Sequence, residues 1–234
     1  MKELEKSAKK NKTKKHLIFT IIFAVLAVAF TVVVKFVDVR PVTLENSPVG
    51  LAGINAPVRN LFNYNAQGVN PTWDKITDIA IATLFTTALY FVILGIVQLV
   101  RRKSLKKIDC ELKLLALIYL AVAAVYVFFE KLLIINSRPV LIDGVLEASY
   151  PSSHVLFALA LAGSAILLTH NYIKPKFATV INLAIALLAL IVTFGRLLAG
   201  VHWFTDILGS VFIVAALISA FATLLNKFTA HAKD

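Results

Sequence analysis

Apolar residues in this chain neither alternate nor keep to one helical face. They come in long unbroken runs, at 17–34, 79–100, 114–129 (extendable to 135), 151–169, 177–194 and 202–225. About 20 predominantly apolar residues suffice for a helix to cross the hydrocarbon core of a bilayer. The run at 79–100 carries no charge at all. The run at 151–169 is long enough only if Ser152 and His154 belong to its first turn, which puts polar residues at a membrane boundary. The expected fold is all-α, a polytopic membrane protein with six transmembrane helices. The longest connection, 37–75, contains Pro41, Pro48, Pro57 and Pro71 and several Asn and Gly, so it is mostly turns. Within it, Asn55-Ala56-Pro57-Val58-Arg59-Asn60-Leu61-Phe62 has the form of a capped helix start with proline in the first turn. It predicts a short interfacial helix, with Trp73 as an interface anchor. The expected organisation is a basic tail at 1–16, a six-helix membrane domain at 17–226 with its outer loop at 37–75, and a second tail at 227–234.

Composition agrees with this picture. Hydrophobic residues make up 59% and charged residues 16%, with a mean hydropathy of +0.83. That leaves too few polar groups to cover a soluble surface, and it excludes disorder. The single cysteine excludes an intramolecular disulfide framework. The net charge of +11 would suit a nucleic-acid binder, so placement decides. Seven lysines lie in 1–16, six Lys or Arg in 101–113, two in 171–176 and two in 226–234. With six spans these segments share one face. By the positive-inside rule both termini are cytoplasmic and the chain sits multi-pass in the cell membrane. The basic tail then orients the protein and attracts anionic lipid, and no nucleic-acid partner is expected. The first apolar run is longer than a signal-peptide core and no A-x-A site follows it, so it reads as a retained helix.

The outer ends of spans three to six hold the unusual chemistry. The patches are Lys131, six residues and Arg138-Pro139; Pro151-Ser152-Ser153-His154; and Gly195-Arg196, five residues, His202, three residues and Asp206. Singly, each has an ordinary reading: Lys131 and Arg196 could snorkel to headgroups, Ser152 could be a helix cap, and either histidine could sit at the interface. Asp206 is harder to set aside, because an ionisable residue inside a span is a functional hypothesis by default. All three patches fall at one level of the bundle. His202 and Asp206 are four apart, so on a helix they share a face, and the carboxylate can hold one imidazole nitrogen while the other stays free. Lys131, Arg138 and Arg196 supply positive charge, two of them as planar forks suited to phosphate oxygens. Ser152 and Ser153 open a helix whose free N–H groups favour an anion. His154 stands beside them as a proton donor to a departing oxygen.

In this order, K-x6-RP, PSxH and R-x5-H-x3-D resemble the type 2 phosphatidic acid phosphatase (PAP2) superfamily. Two positions depart from the family pattern: Ser153 replaces the glycine of PSGH, and Gly195 replaces the serine before Arg196. The resemblance implies that His202 is the nucleophile forming a phosphohistidine, that Asp206 orients it, and that His154 is the acid. It implies a phosphate clamp of Lys131, Arg138 and Arg196 completed by Ser152 and Ser153, with no metal or other cofactor. The expected activity is metal-independent hydrolysis of a lipid phosphate or diphosphate at the outer membrane face. Undecaprenyl diphosphate, the lipid carrier of cell-wall synthesis, is the favoured substrate. Phosphatidylglycerophosphate or phosphatidate is the alternative lipid. Transfer of the phosphoryl group to a sugar, and a non-catalytic lipid-binding or transport protein of the same fold, are further alternatives.

Overall fold

The computed structural model describes residues 2–42, 46–62, 68–142 and 144–229. Among the described residues seven α-helices carry the fold: α1 (Lys2–Phe36), α2 (Ala52–Asn60), α3 (Pro71–Arg102), α4 (Cys110–Val127), α5 (Ser153–Tyr172), α6 (Pro175–Ala199) and α7 (Phe204–Phe228). All but α2 are long and apolar enough to cross a membrane. A single π turn, Phe128–Leu132, extends α4. Two-residue strands β1 (Arg40–Pro41) and β2 (Pro48–Val49) pair antiparallel in the connection before α2. The chain is thus a six-span helical membrane protein with one additional short helix.

The helices overrun the apolar stretches at their polar ends. α1 continues back through the lysine-rich tail, because lysine is a good helix former and hydropathy does not report on solvated turns. α3 starts at Pro71, two turns before its charge-free run. Asn70 caps it, its Oδ1 accepting from the Thr72 and Trp73 backbone N–H groups at 3.2 and 3.3 Å, and proline occupies the first turn.

α5 is the most enclosed of the six spans and α1 the least. Ala158, Ala160, Ala162, Ser164 and Ala165 are all buried along α5. Small side chains let α6 and α7 close on it, which is how helices associate where no hydrophobic force operates between them. The peripheral helices turn Ile21, Val25, Val28, Leu120 and Leu183 outward. These exposed apolar faces suit a lipid surround, and the backbone polar groups behind them are satisfied within each helix.

The short helix differs from its sequence reading in a way that matters. It starts at Ala52, after Leu51 in the left-handed region, so Asn55 lies inside it and caps nothing. Asn55 instead reaches out of α2. Its Nδ2 donates to Gly50 O at 2.8 Å and Thr205 Oγ1 at 2.9 Å, and its Oδ1 accepts from the Thr205 backbone N–H at 3.2 Å. α2 is therefore braced against the first turn of α7. Trp73 is half-buried and packs against the cluster of Val140, Ala199 and Val201, so protein contacts hold it in place. Tyr150 ties α1 to the segment before α5 through a 2.8 Å bond between its OH and Thr31 Oγ1. Burial pushes this phenol up to about 12, so it stays neutral.

Replacing Asn55 with Ala strands the Thr205 N–H in a buried position. Leaving such a donor unpaired costs about 1–3 kcal/mol. The expected outcome is a lower thermal midpoint in detergent for Asn55→Ala than for the wild type.

Candidate active site

The segment between α4 and α5 folds back on itself through an isolated bridge of Ser137 with Ala148. The Arg138 N–H donates to Glu147 O at 2.9 Å, and Arg138 Nε stands 3.1 Å from Glu147 Oε2. Trp203 Nε1 donates to Ser137 O at 2.8 Å. These contacts bring Arg138-Pro139 to the segment that carries His202. Ser152 is the residue before α5, and its Oγ does not cap the helix. Its N–H donates to Asp206 O at 3.2 Å, and its carbonyl accepts from Ser210 Oγ at 3.0 Å. Ser153 opens α5, half-buried.

His202 precedes α7 and does not lie on it. The i, i+4 relation to Asp206 is therefore not that of one helix face. Nδ1 lies 3.1 Å from Ser149 O. A carbonyl only accepts, so the hydrogen is on Nδ1 and Nε2 keeps its lone pair. Asp206 Oδ2 is 3.6 Å from Nδ1, beyond hydrogen-bond reach. It accepts instead from the Trp203 N–H at 2.9 Å, and Oδ1 accepts from Asn136 Nδ2 at 3.3 Å. Asp206 is the third residue of α7, where a carboxylate naturally turns back to the helix start. It fixes the loop that carries His202, and the Ser149 carbonyl fixes the ring.

Nε2 of His202 is buried and has no hydrogen-bond partner among the described residues, and the same holds for Arg196 Nε and Ser152 Oγ. Buried polar atoms are almost always paired, so three such atoms from neighbouring motifs mark a place for a ligand rich in hydrogen-bonding oxygen. His202 is held neutral. Burial pushes its pKa well down, and the positive fields of Arg138, Arg196 and His154 add to this.

Two further carboxylates enter from α3, and the sequence reading did not find them. Arg196 Nη1 donates to Asp74 Oδ1 at 2.6 Å and to Thr77 Oγ1 at 3.2 Å, and lies 3.6 Å from Asp78 Oδ1. Asp78 Oδ1 is also 3.1 Å from His154 Nε2. Asp74 and Asp78 are one helical turn apart on one face. They lie in the two polar turns of α3 outside the charge-free run. The rule that singled out Asp206, an ionisable group at a span end, would have flagged them had those turns been included. Glu147, Ser149 and Asn136 left no sequence signal.

α3 also accounts for one departure from the family pattern. A Cβ at position 195 would overlap Thr77 Cγ2 and touch Trp73. Gly195 lets α3 pack closely on α6, and Thr77 brings a hydroxyl to Arg196 where a serine would have carried one. Lys131 is not brought to the other residues. It lies in the π turn with its side chain 72% exposed and its Nζ 3.8 Å from Glu130 Oε1. The wider i+5 turn, closed by Leu133 N–H to Phe128 O at 2.9 Å, offsets its direction from that of a regular helix.

The family model described as PAP2 superfamily matches residues 113–230. No curated protein matches the chain significantly. Among solved structures, the chain is similar to one described as the first transmembrane PAP2 type phosphatidylglycerolphosphate phosphatase from Bacillus subtilis. The two share 18% identity and a TM-score of 0.52, over 95% of this chain and 98% of the other. At that identity the likeness is one of fold.

Neutral burial of His202 makes stability depend on pH. Below the ordinary imidazole value of about 6.5 the unfolded chain binds a proton that the folded chain refuses, so stability falls as pH falls, by at most ~1.4 kcal/mol per unit. The loss begins near that value and stops once folded His202 itself protonates. The thermal midpoint of the wild type should therefore drop more between pH 7.5 and 5 than that of His202→Gln.

Proposed function

The chain belongs to the PAP2 superfamily, and we propose that it is a membrane lipid phosphatase whose reaction runs through a phosphohistidine on His202. The observation that carries this reading is the buried Nε2 of His202, without a hydrogen-bond partner among the described residues, with its tautomer fixed from the other side by the Ser149 carbonyl. A neutral imidazole with a directed lone pair is a nucleophile ready at neutral pH.

In the first half-reaction the Nε2–P bond forms and the bond from phosphorus to the lipid oxygen breaks. His154 gives its proton to that oxygen. Arg138, Arg196 and the free N–H groups at the start of α5 face the charge that spreads over the equatorial oxygens, and such preset groups supply most of the acceleration in phosphoryl transfer. Asp206, 3.6 Å from Nδ1, offsets the positive charge gained by the ring. In the second half-reaction a water attacks phosphorus, its proton passes to His154, and the P–N bond breaks. Phosphate oxygens take over the donors that now serve Asp74 and Asp78. These two carboxylates are 37% and 57% exposed and can give way toward solvent. Lys131 contributes its charge from the rim on a flexible stem.

The distribution of basic residues supports cytoplasmic termini and a site on the outer face, where a carrier diphosphate is released. On that ground undecaprenyl diphosphate is the favoured substrate. Phosphatidylglycerophosphate is the second reading, supported by what the structural neighbour is described as hydrolysing.

Phosphate release by purified protein in EDTA tests the mechanism. His202→Ala should lose at least about 10³-fold, as nucleophile removals do, and His154→Ala about 10²–10⁴-fold. Activity that survives in His202→Ala removes the phosphohistidine. Parallel assays on C55 diphosphate, phosphatidylglycerophosphate and phosphatidate should give the highest kcat/KM on the first. A preference for phosphatidylglycerophosphate would decide for the second reading.

A further inference from the structure

The end of the bundle away from this site carries cavities that the catalytic reading does not use, two of them side by side. α5 spans the distance between them and the site. Its first residues belong to the phosphate clamp and its last, His170 to Tyr172, line one of the cavities. Twenty helical residues place them about 30 Å apart.

The first cavity is an apolar slot of about 360 Å³ between α3 and α4, walled by Phe91, Gly95, Leu99, Leu112, Ala116 and Tyr119. Of its polar lining, Tyr119 OH pairs with Ser164 Oγ at 3.1 Å, and Lys113 stands where the slot meets the second cavity. The second is a cleft of about 900 Å³ where the ends of α1, α4, α5 and α7 meet the turn between α3 and α4. Lys9, Lys106, Lys107, Lys113 and His170 line it. None of these lysines has a carboxylate within ion-pair distance among the described residues. The cleft has two carboxylates of its own. Asp109 is committed elsewhere, to Arg102 at 2.7 Å, Gln98 at 2.6 Å and Tyr172 at 3.4 Å. Among the described lining residues that leaves Glu111 against four ammonium groups. Slot and cleft share Ile108 and Lys113, so they adjoin, the one apolar and set among the helices, the other basic and set at the helix ends.

We infer that this is a binding site for an anionic glycerophospholipid of the surrounding leaflet, with an acyl chain in the slot and the phosphate headgroup among Lys106, Lys107 and Lys113. A soluble phosphate compound would match the cleft and leave the slot unexplained. A zwitterionic lipid would match the slot and leave the charge unexplained. The adjoining pair fits a ligand that carries both parts. Lysines near a membrane surface strengthen anionic-lipid binding by a severalfold factor each, so three acting together give a clear headgroup preference. The site stands apart from the catalytic residues and does not rest on the proposed reaction.

Native mass spectrometry of the full chain, offered equal phosphatidylglycerol and phosphatidylcholine of the same acyl composition, tests the assignment. Phosphatidylglycerol should be retained about tenfold over phosphatidylcholine. Gly95→Leu fills the slot, and a Cβ there meets no atom within 4 Å, so the helices need not move. It should lower phosphatidylglycerol retention about fivefold or more, and so should Lys106→Gln/Lys107→Gln/Lys113→Gln. The corresponding triple arginine variant should bind as the wild type does. Arg138→Gln, at the catalytic end, should leave retention unchanged. Equal retention of the two lipids, wild-type retention in Gly95→Leu, or loss in Arg138→Gln would each overturn the proposal. Competition by sn-glycerol 3-phosphate as effective as that by the lipid would replace it with a soluble-anion site.

Discussion

The bond from the His202 ring to the Ser149 carbonyl is the contact around which the rest of the site is arranged. In an apolar bundle a polar group must find its partner within the protein, since neither lipid nor a dry interior supplies one. The start of α7 concentrates such groups. Asn55, Asn136, Ser149, Thr205, Asp206 and Ser210 are all buried there, and they pair almost entirely with one another and with nearby backbone. The network ties α2, the segment before α5 and α7 into one frame. Its few unpartnered atoms include His202 Nε2 and Ser152 Oγ. Rigidity around a small set of unmet donors and acceptors is the condition for catalysis by positioning.

Charge in the site is balanced by residues outside the recognised motifs. Arg138 faces Glu147, and Arg196 and His154 face Asp74 and Asp78. A cation taken out of water without a partner costs several kcal/mol, so the cations enclosed at this end of the bundle need counter-charges. Carboxylates nearer the exposed rim, Glu147, Asp74 and Asp78, fill that role. α3 thereby becomes part of the site, and Gly195 is the position that lets it approach.

The two ends of the bundle divide the chemistry. One end gathers buried and half-buried histidines and arginines with their counter-charges; the other gathers lysines around a cleft beside an apolar slot. α5 runs between the two and packs against α6 and α7 through a buried face that includes Ala158, Ala160, Ala162, Ser164 and Ala165.

Much of this was legible along the chain. Six spans followed from run length alone, because crossing hydrocarbon demands continuous apolar helix. The three motifs followed from spacing, since polar residues at span ends fall at one level once the spans are placed. Sequence could not identify the partner of His202. Asp206 was the natural candidate by spacing, yet the ring bonds a backbone carbonyl, and every residue has one. Nor could it place Lys131, whose direction depends on a π turn, or enlist Asp74 and Asp78, which lie on polar helical turns that an apolarity criterion passes over. Composition and periodicity decide where a helix must be, because burial of apolar surface and internal backbone pairing are properties of the chain itself. Which polar atoms meet is decided by how the helices dock, because a hydrogen bond depends on tenths of an ångström between residues far apart in sequence.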